Sequence, residues 1–313
     1  MFGGGSIGQR HIRNLQKLGY SDIAAFRTHQ GHYQDLPPEL KVREISDWKD
    51  VADFKPDVAF ITNPTSLHLE TAARIAPHVK GIFIEKPLSN SKAGVKEFMD
   101  LVKSKGVVTF VGYNLQFHPL IKNIVQEMDK GHLGKPLVFQ CQVGQWLADW
   151  HPYEDFKKGY YARKDLGGGV ALTMIHEINL ALKLFGPASK VAAFFPKSDK
   201  LSLDVDTVAD IMIHHDKNAV SQVHLDYIQR PASRFGTLAF EQGNLRYDLM
   251  ENKGYDTDLM YQEQLRLFLR YVAEGRMRHD LDLAHALEDL MVVEAAFASS
   301  NTGRIMEIEH GQR

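Results

Sequence analysis

Gly3-Gly4-Gly5-Ser6-Ile7-Gly8 stands at the head of the chain and runs into Gln9 to Leu18, which carries Ile12, Leu15 and Leu18 at helical spacing and stops at Gly19. The spacing of Gly3, Gly5 and Gly8 fits a strand-to-helix turn built to hold a dinucleotide. The first glycine permits the tight turn, the second lets a pyrophosphate approach the backbone, and the third lets helix and strand pack closely. The helix that follows, opening over Ser6 and Ile7, aims unpaired N–H groups at the phosphates. Taken alone, such a turn is weak evidence, so its surroundings decide.

Working outward, Met1 and Phe2 precede the first glycine, where a strand of about five residues is expected. The expectation is that Met1 is an internal methionine of a longer natural chain, and that about five added apolar residues raise stability and cofactor affinity. Downstream, Asp22 to Phe26 reads as the next strand and delivers Arg27 and Thr28. Arg27 lies 19 residues after Gly8, where an acidic residue would hold a ribose 2′-hydroxyl and an arginine accommodates a 2′-phosphate. Arg27-Thr28 therefore favours NADP over NAD, the plain alternative being a solvated loop arginine.

The rest of the first third alternates strand-like and helical segments, the pattern of βαβ units on a parallel sheet. Asp57 to Thr62, Gly81 to Glu85 and Val107 to Gly112 are apolar runs suited to strands covered on both faces. Ser91 to Lys105 places Val95, Phe98, Met99 and Val102 on one helical face and ends at Gly106. After about residue 115 strand candidates follow one another directly: Pro136 to Trp146, Lys190 to Pro196, Thr207 to His215, Ala219 to Gln229 and Arg234 to Leu249. Asp216-Lys217-Asn218 and Gln242-Gly243-Asn244 read as hairpin turns. Helices are expected over Asp258 to Glu274 and Leu283 to Ser300, and a short strand over Arg304 to Ile308. The fold class is α/β: a Rossmann dinucleotide-binding domain over residues 1–115, then an α+β domain over residues 116–313 with a large open antiparallel sheet.

Bulk composition narrows the function classes. With 313 residues, 44% hydrophobic, the chain can bury two domain cores. A net charge of −2 with interspersed signs offers no cationic field for nucleic acid or an anionic membrane. The single Cys141 supplies neither an internal disulfide nor a thiolate metal cluster, and no apolar stretch has the length of a membrane span. We expect a cytoplasmic protein without nucleic-acid, membrane or metal partners. Leu180 removes any zinc-protease pattern after His176-Glu177, and His214 and His215 face opposite sides of a strand.

Three further signatures follow strands in order: Asn63-Pro64-Thr65-Ser66-Leu67-His68, Glu85-Lys86-Pro87, and Gly112-Tyr113-Asn114. With the glycine turn they resemble the Gfo/Idh/MocA family of oxidoreductases, over essentially the whole chain. Gly167-Gly168-Gly169, leading through Val170 to His176, resembles the family's segment before a helix with a catalytic histidine. Gly8-Gln9-Arg10-His11, Asp149-Trp150-His151-Pro152-Tyr153 and Tyr161 to Gly167 are similar to sugar and nucleotide-sugar enzymes within the family. The resemblance implies an NAD(P)-dependent oxidoreductase acting on a sugar or nucleotide-sugar hydroxyl or keto group, assembled as a homodimer or homotetramer through the C-terminal sheet.

It also assigns residues. Gly3, Gly5, Ser6, Ile7, Gly8, Arg27, Thr28, Asn63, Pro64, Thr65, His68, Glu85, Lys86 and Asn114 would meet the cofactor. Lys86 would stabilise charge on the reacting oxygen, and His176, titrating near neutrality, would take and return its proton. Asn114, Trp150, Tyr161 and Arg163 would join Lys86 and His176 on the substrate, Arg163 as a bidentate partner for phosphate or carboxylate. One departure stands out. Look-alikes carry aspartates before and three residues after the histidine, but this chain has Leu172, Thr173 and Asn179; Glu177, about 100° away on a helix, substitutes poorly. Two rivals follow: a redox-assisted lyase or hydrolase with a tightly held dinucleotide, and a non-catalytic dinucleotide-binding protein.

Overall fold

The structure, a computed structural model, describes all residues except 30–34, 151, 153, 197, 199, 252–253, 277–280 and 311–313. His151 and Tyr153 of the aromatic motif therefore lie outside the described residues. In chain order the first part comprises α1 (Ser6–Lys17), β1 (Ala24–Phe26), β2 (Arg43–Ile45), α2 (Trp48–Phe54), β3 (Val58–Ile61), α3 (His68–Ile75), β4 (Gly81–Glu85), α4 (Val95–Lys105) and β5 (Val108–Gly112). Next come α5 (Pro119–Asp129), β6 (Pro136–Gly144), α6 (Val170–Thr173), α7 (His176–Phe185), β7 (Ala188–Phe194), β8 (Val208–His215), β9 (Val220–Asp226), β10 (Ser233–Phe240) and β11 (Gly243–Asp248). The chain ends with α8 (Asp258–Glu274), α9 (Leu283–Thr302) and β12 (Met306–Glu307). These divide into one compact unit from Met1–Asn114 with Asp256–Ala286, and another from Leu115–Tyr255 with Leu287–Arg313.

In the first unit β1 and β2 pair in parallel, as do β3, β4 and β5. Phe2 joins the two sets, bridging Phe26 on one side and Ile61 on the other. Its N–H donates to Phe60 O at 2.7 Å and its carbonyl accepts from Thr62 N at 2.8 Å. The first-strand position is thus held by Phe2, whose buried ring lies 5.4 Å from Phe26 and 5.2 Å from Trp48. Every residue of β4 and β5 is buried, as strands covered on both faces must be. Helix α8 supplies part of that cover: Phe268 packs 5.6 Å from Phe60, 5.7 Å from Phe83 and 5.9 Å from Phe110. The absent side chain of Gly81 makes room for it, since a Cβ there would stand 2.3 Å from Val272 Cγ2.

The second unit is built on a seven-stranded sheet in the order β11-β10-β6-β9-β8-β7-β12. It is mixed, not purely antiparallel, because β6 and β9 run parallel. Between them the chain crosses over through α6, α7, β7 and β8, a long connection that returns β9 in the same direction. One sheet face is the core, where Phe139, Val223, Leu225 and Leu238 are buried and Phe139 stacks 5.7 Å from Phe185 of α7. The other face carries Gln140 hydrogen-bonded to Gln222 at 2.7 Å, half-exposed His224, and exposed Met212 and Phe194. No described helix is long and apolar enough to cross a membrane.

His224 is held between Asp210 at 2.7 Å and Asp226 at 3.1 Å, and its bond to Asp226 raises its pKa to about 9 from the usual 6.5. A pKa raised by folding contributes stability below 6.5 that disappears as pH rises through about 9. The denaturation midpoint should therefore fall between these pH values, and the fall should be shallower in His224→Gln; an unchanged slope would show that the pairing contributes nothing.

Candidate functional site

The glycine turn folds around backbone contacts that admit no side chain. Gly3 has φ +117°, and a Cβ there would lie 2.6 Å from backbone atoms of Thr62 and Asn63. A Cβ on Gly8 would lie 2.3 Å from Gly3 O. Thr62 Oγ1 donates towards the carbonyls of Phe2 and Gly3, and Gln9 Nε2 donates to Gly4 O at 3.0 Å, so the turn is tied on both sides. Gly5 then starts α1 with no side-chain cap and no acidic residue in the first turn. The opening N–H groups of Ser6, Ile7 and Gly8 keep the dipole end that suits a pyrophosphate. The residues present thus fit a dinucleotide.

Arg27 lies beside this turn, where a Cβ on Gly4 would stand 3.1 Å from its Nε. Its side chain is 4% exposed and pairs with Glu44 of β2 at 3.2 Å, whereas Thr28 is exposed. Neither Glu44 nor its pairing has a signal in the chain, because β2 is three residues long and only the parallel register brings Glu44 beside Ala25.

The other two loops of the first unit are clamped by histidines. His68 is buried, with Nδ1 2.8 Å from Pro87 O and Nε2 2.9 Å from Asn63 O, so it staples the Asn63 loop to the Glu85-Lys86-Pro87 loop. Burial pulls its pKa below the usual value, although both carbonyls favour the protonated ring. Thr65, also buried, opens the short turn after Pro64, and the Asn63 amide donates to Thr71 Oγ1 at 2.8 Å. Glu85 is buried and turned to α1: one oxygen meets His11 Nε2 at 2.6 Å and the other accepts from Lys86 N at 3.3 Å. It ties the dinucleotide helix to the turn bearing half-buried Lys86. His11 was missed as a site residue; its sequence signal is a histidine three residues after Gly8, facing the strands instead of solvent. Asn114 is buried and donates to Met260 Sδ at 3.6 Å.

In the second unit His176 is the first residue of α7 and is 7% exposed. The turn ahead of it depends on Gly169 at φ +113°, where a Cβ would meet Asp206 Oδ1 at 2.0 Å. Asp206 accepts from Ala171 N at 2.8 Å, and burial lifts its carboxyl to about 6. Glu177 is fully engaged by Arg234 of β10, with bonds of 2.7 and 3.0 Å. Tyr161 is buried and packs, with Tyr227, around Trp150 at ring distances of 5.6 and 5.7 Å. Arg163 is exposed and bound by both carboxylate oxygens of Asp165. Arg230 likewise holds Asp149, at 2.9 and 2.8 Å, and lies over the Trp146 ring.

Residues 1–113 match the model of the oxidoreductase family with the NAD-binding Rossmann fold, and residues 121–246 match the GFO/IDH/MocA C-terminal domain. The chain belongs to the Gfo/Idh/MocA family. Among its Gfo/Idh/MocA relatives are the uncharacterized oxidoreductase YrbE of Bacillus subtilis, 31% identical over 44% of this chain and 41% of that protein. Another is scyllo-inositol 2-dehydrogenase (NAD(+)) of the same organism, 28% identical over 59% of this chain and 53% of the relative. These matches span about half the length of the curated relatives. The fold also matches that of GenD2 from gentamicin A biosynthesis in complex with NAD, with a TM-score of 0.86 at 20% identity, covering 99% of this chain and 95% of the other.

Gly8 tests the turn of this Gfo/Idh/MocA chain directly. Because the obstructing atom is a backbone oxygen, Gly8→Ala must displace the turn, and NAD binding should weaken by more than about tenfold, roughly 1.4 kcal/mol. Isothermal titration of a variant with wild-type circular dichroism measures this; unchanged affinity would remove the turn from the cofactor site.

Proposed function

We propose that the protein is an NAD-dependent dehydrogenase or reductase of an uncharged sugar or cyclitol. The observation that carries the reading is the uncapped start of α1 at Gly5, held by glycine contacts that leave only backbone to meet a ligand. Gly3, Gly5, Ser6, Ile7 and Gly8 would hold the pyrophosphate, and the loops of Asn63 to His68 and Glu85-Lys86, with Asn114, would line the nicotinamide end. When bound, the dinucleotide supplies the hydride acceptor or donor. Lys86 hydrogen-bonds the reacting oxygen and stabilises negative charge as its proton leaves. His176 accepts that proton in oxidation and returns it in reduction.

For the cofactor, the pairing of Arg27 with Glu44 favours NAD over the NADP expected from Arg27-Thr28 alone. A carboxylate beside the guanidinium already satisfies it, repels a 2′-phosphate and can accept from a ribose hydroxyl. For the substrate, Arg163, Arg230 and Arg234 each have a carboxylate of their own in Asp165, Asp149 and Glu177. Cations already satisfied by carboxylates offer little to a nucleotide diphosphate, which favours a neutral polyol over a nucleotide sugar. Trp150 and Tyr161 would give such a ring its apolar wall. The open sheet face, with Phe194 72% exposed, favours assembly with further copies of the chain.

Reduction of NAD followed at 340 nm across a panel of inositols and neutral sugars tests the reading. Turnover is expected with NAD, lost in His176→Ala and in Lys86→Met, and Glu44→Gln should narrow the preference over NADP by roughly tenfold. Tighter NADP binding in the wild type, or turnover that survives His176→Ala, would contradict it.

A further inference from the structure

A carboxylate buried in the second unit reaches the helix of His176 through a side-chain amide. Asp289 lies in α9, 0% exposed, next to Leu290 at 1%. Its Oδ2 accepts from Asn179 Nδ2 at 3.0 Å, and Asn179 Oδ1 accepts from Gln116 Nε2 at 2.8 Å. Gln116 and Asn179 are themselves buried. The two bonds fix the Asn179 amide one way round, N–H towards Asp289, so the carboxyl group is the acceptor. Asn179 stands three residues after His176 on α7, a neighbour on the same helix surface.

A carboxylate buried in α9 and bonded to α7 favours positive charge on that helix. Several ionisable groups around α7 have partners of their own, among them His118 at the start of α5, which accepts from Leu120 N and is held below its usual pKa by burial and by Arg234. Glu177 holds Arg234 of β10, and Asp206 holds the N–H groups of α6. Burial keeps Cys141 on β6 and Tyr227 beyond β9 neutral. His215 of β8 is bonded to Gly186 O and Ser221 Oγ.

We infer that Asp289 is a positioning residue for His176: acting through Asn179, it fixes the first turn of α7 and stabilises the imidazolium formed when His176 takes the hydroxyl proton. Asn179 transfers no proton; the proton moves only between substrate oxygen and imidazole. The inference rests on the proton-handling role proposed for His176. It also answers the absence of a carboxylate at position 179, since the negative charge comes from α9 one link further away.

The test is the pH profile of kcat/KM with NAD and the polyol found by the panel. Asp289→Asn should lower the apparent pKa of the imidazole limb by about one unit, reduce kcat more than it changes KM, and leave NAD affinity unaltered. Asn179→Asp, which brings a carboxylate closer, should raise that pKa. The exchange Asn179→Asp with Asp289→Asn keeps an amide bonded to a carboxylate, so it serves if Asp289→Asn fails to fold, and it should restore the limb to the wild-type position or above. An Asp289→Asn profile superimposed on the wild type, with only the melting temperature lowered, would overturn the inference, as would an exchange variant with a lowered limb. Loss of turnover in His176→Ala alongside an unshifted Asp289→Asn profile would sink this inference alone, whereas turnover surviving in His176→Ala would sink the reading of His176 as well.

Discussion

The contact on which the rest depends is backbone against backbone: Gly8 against the carbonyl of Gly3, and Gly3 against Thr62 and Asn63. Any side chain at either place would push α1 away from the strands, and with it the N–H groups at its start. Phe2 completes this arrangement by pairing with both Phe26 and Ile61, so that two sets of parallel strands act as one support. His11 extends the same constraint to the Glu85-Lys86 turn through a buried bond of 2.6 Å. The dinucleotide helix and the lysine turn therefore share one rigid base within the first unit.

Charge in the second unit is arranged differently. Its arginines beside the aromatic segment are matched with carboxylates, and the carboxylate behind the His176 helix is met by an amide. Charges paired in advance reorganise little, in keeping with the proposal of an uncharged substrate. The half-exposed His224 on the far face of the sheet is a separate matter, bearing on stability between neutral and alkaline pH.

Much of the fold was legible because its strongest signals are local. The runs Gly81 to Glu85 and Asp258 to Glu274 coincide with β4 and α8, where apolar periodicity and a glycine stop agree. Helices α2 and α3 are too short to show a period, whereas α5 carries Leu120, Ile121, Ile124, Val125 and Met128 at helical spacing behind its histidine cap and Pro119, a legible signal absent from the expectations. The parallel pairing of β6 with β9 is a crossover, invisible to alternation along either strand. At the site, motif positions were readable but their partners were not. That Arg27 meets Glu44, Glu85 meets His11 and Asn179 meets Asp289 depends on register and helix packing between distant segments. Those partners carry the proposals: Glu44 beside Arg27 underlies the choice of NAD where Arg27 alone favoured NADP, and Asp289 underlies the carboxylate proposed behind position 179.

Amide hydrogen exchange with and without NAD tests the central claim most directly, because it reads the backbone groups on which the claim rests. The account predicts protection of the amides of Ser6, Ile7 and Gly8 at the uncapped start of α1, with weaker protection at Asn63, Thr65 and Lys86, and none along the seven-stranded sheet. Binding of NAD that leaves the amides of Ser6, Ile7 and Gly8 exchanging at their free rates would contradict it.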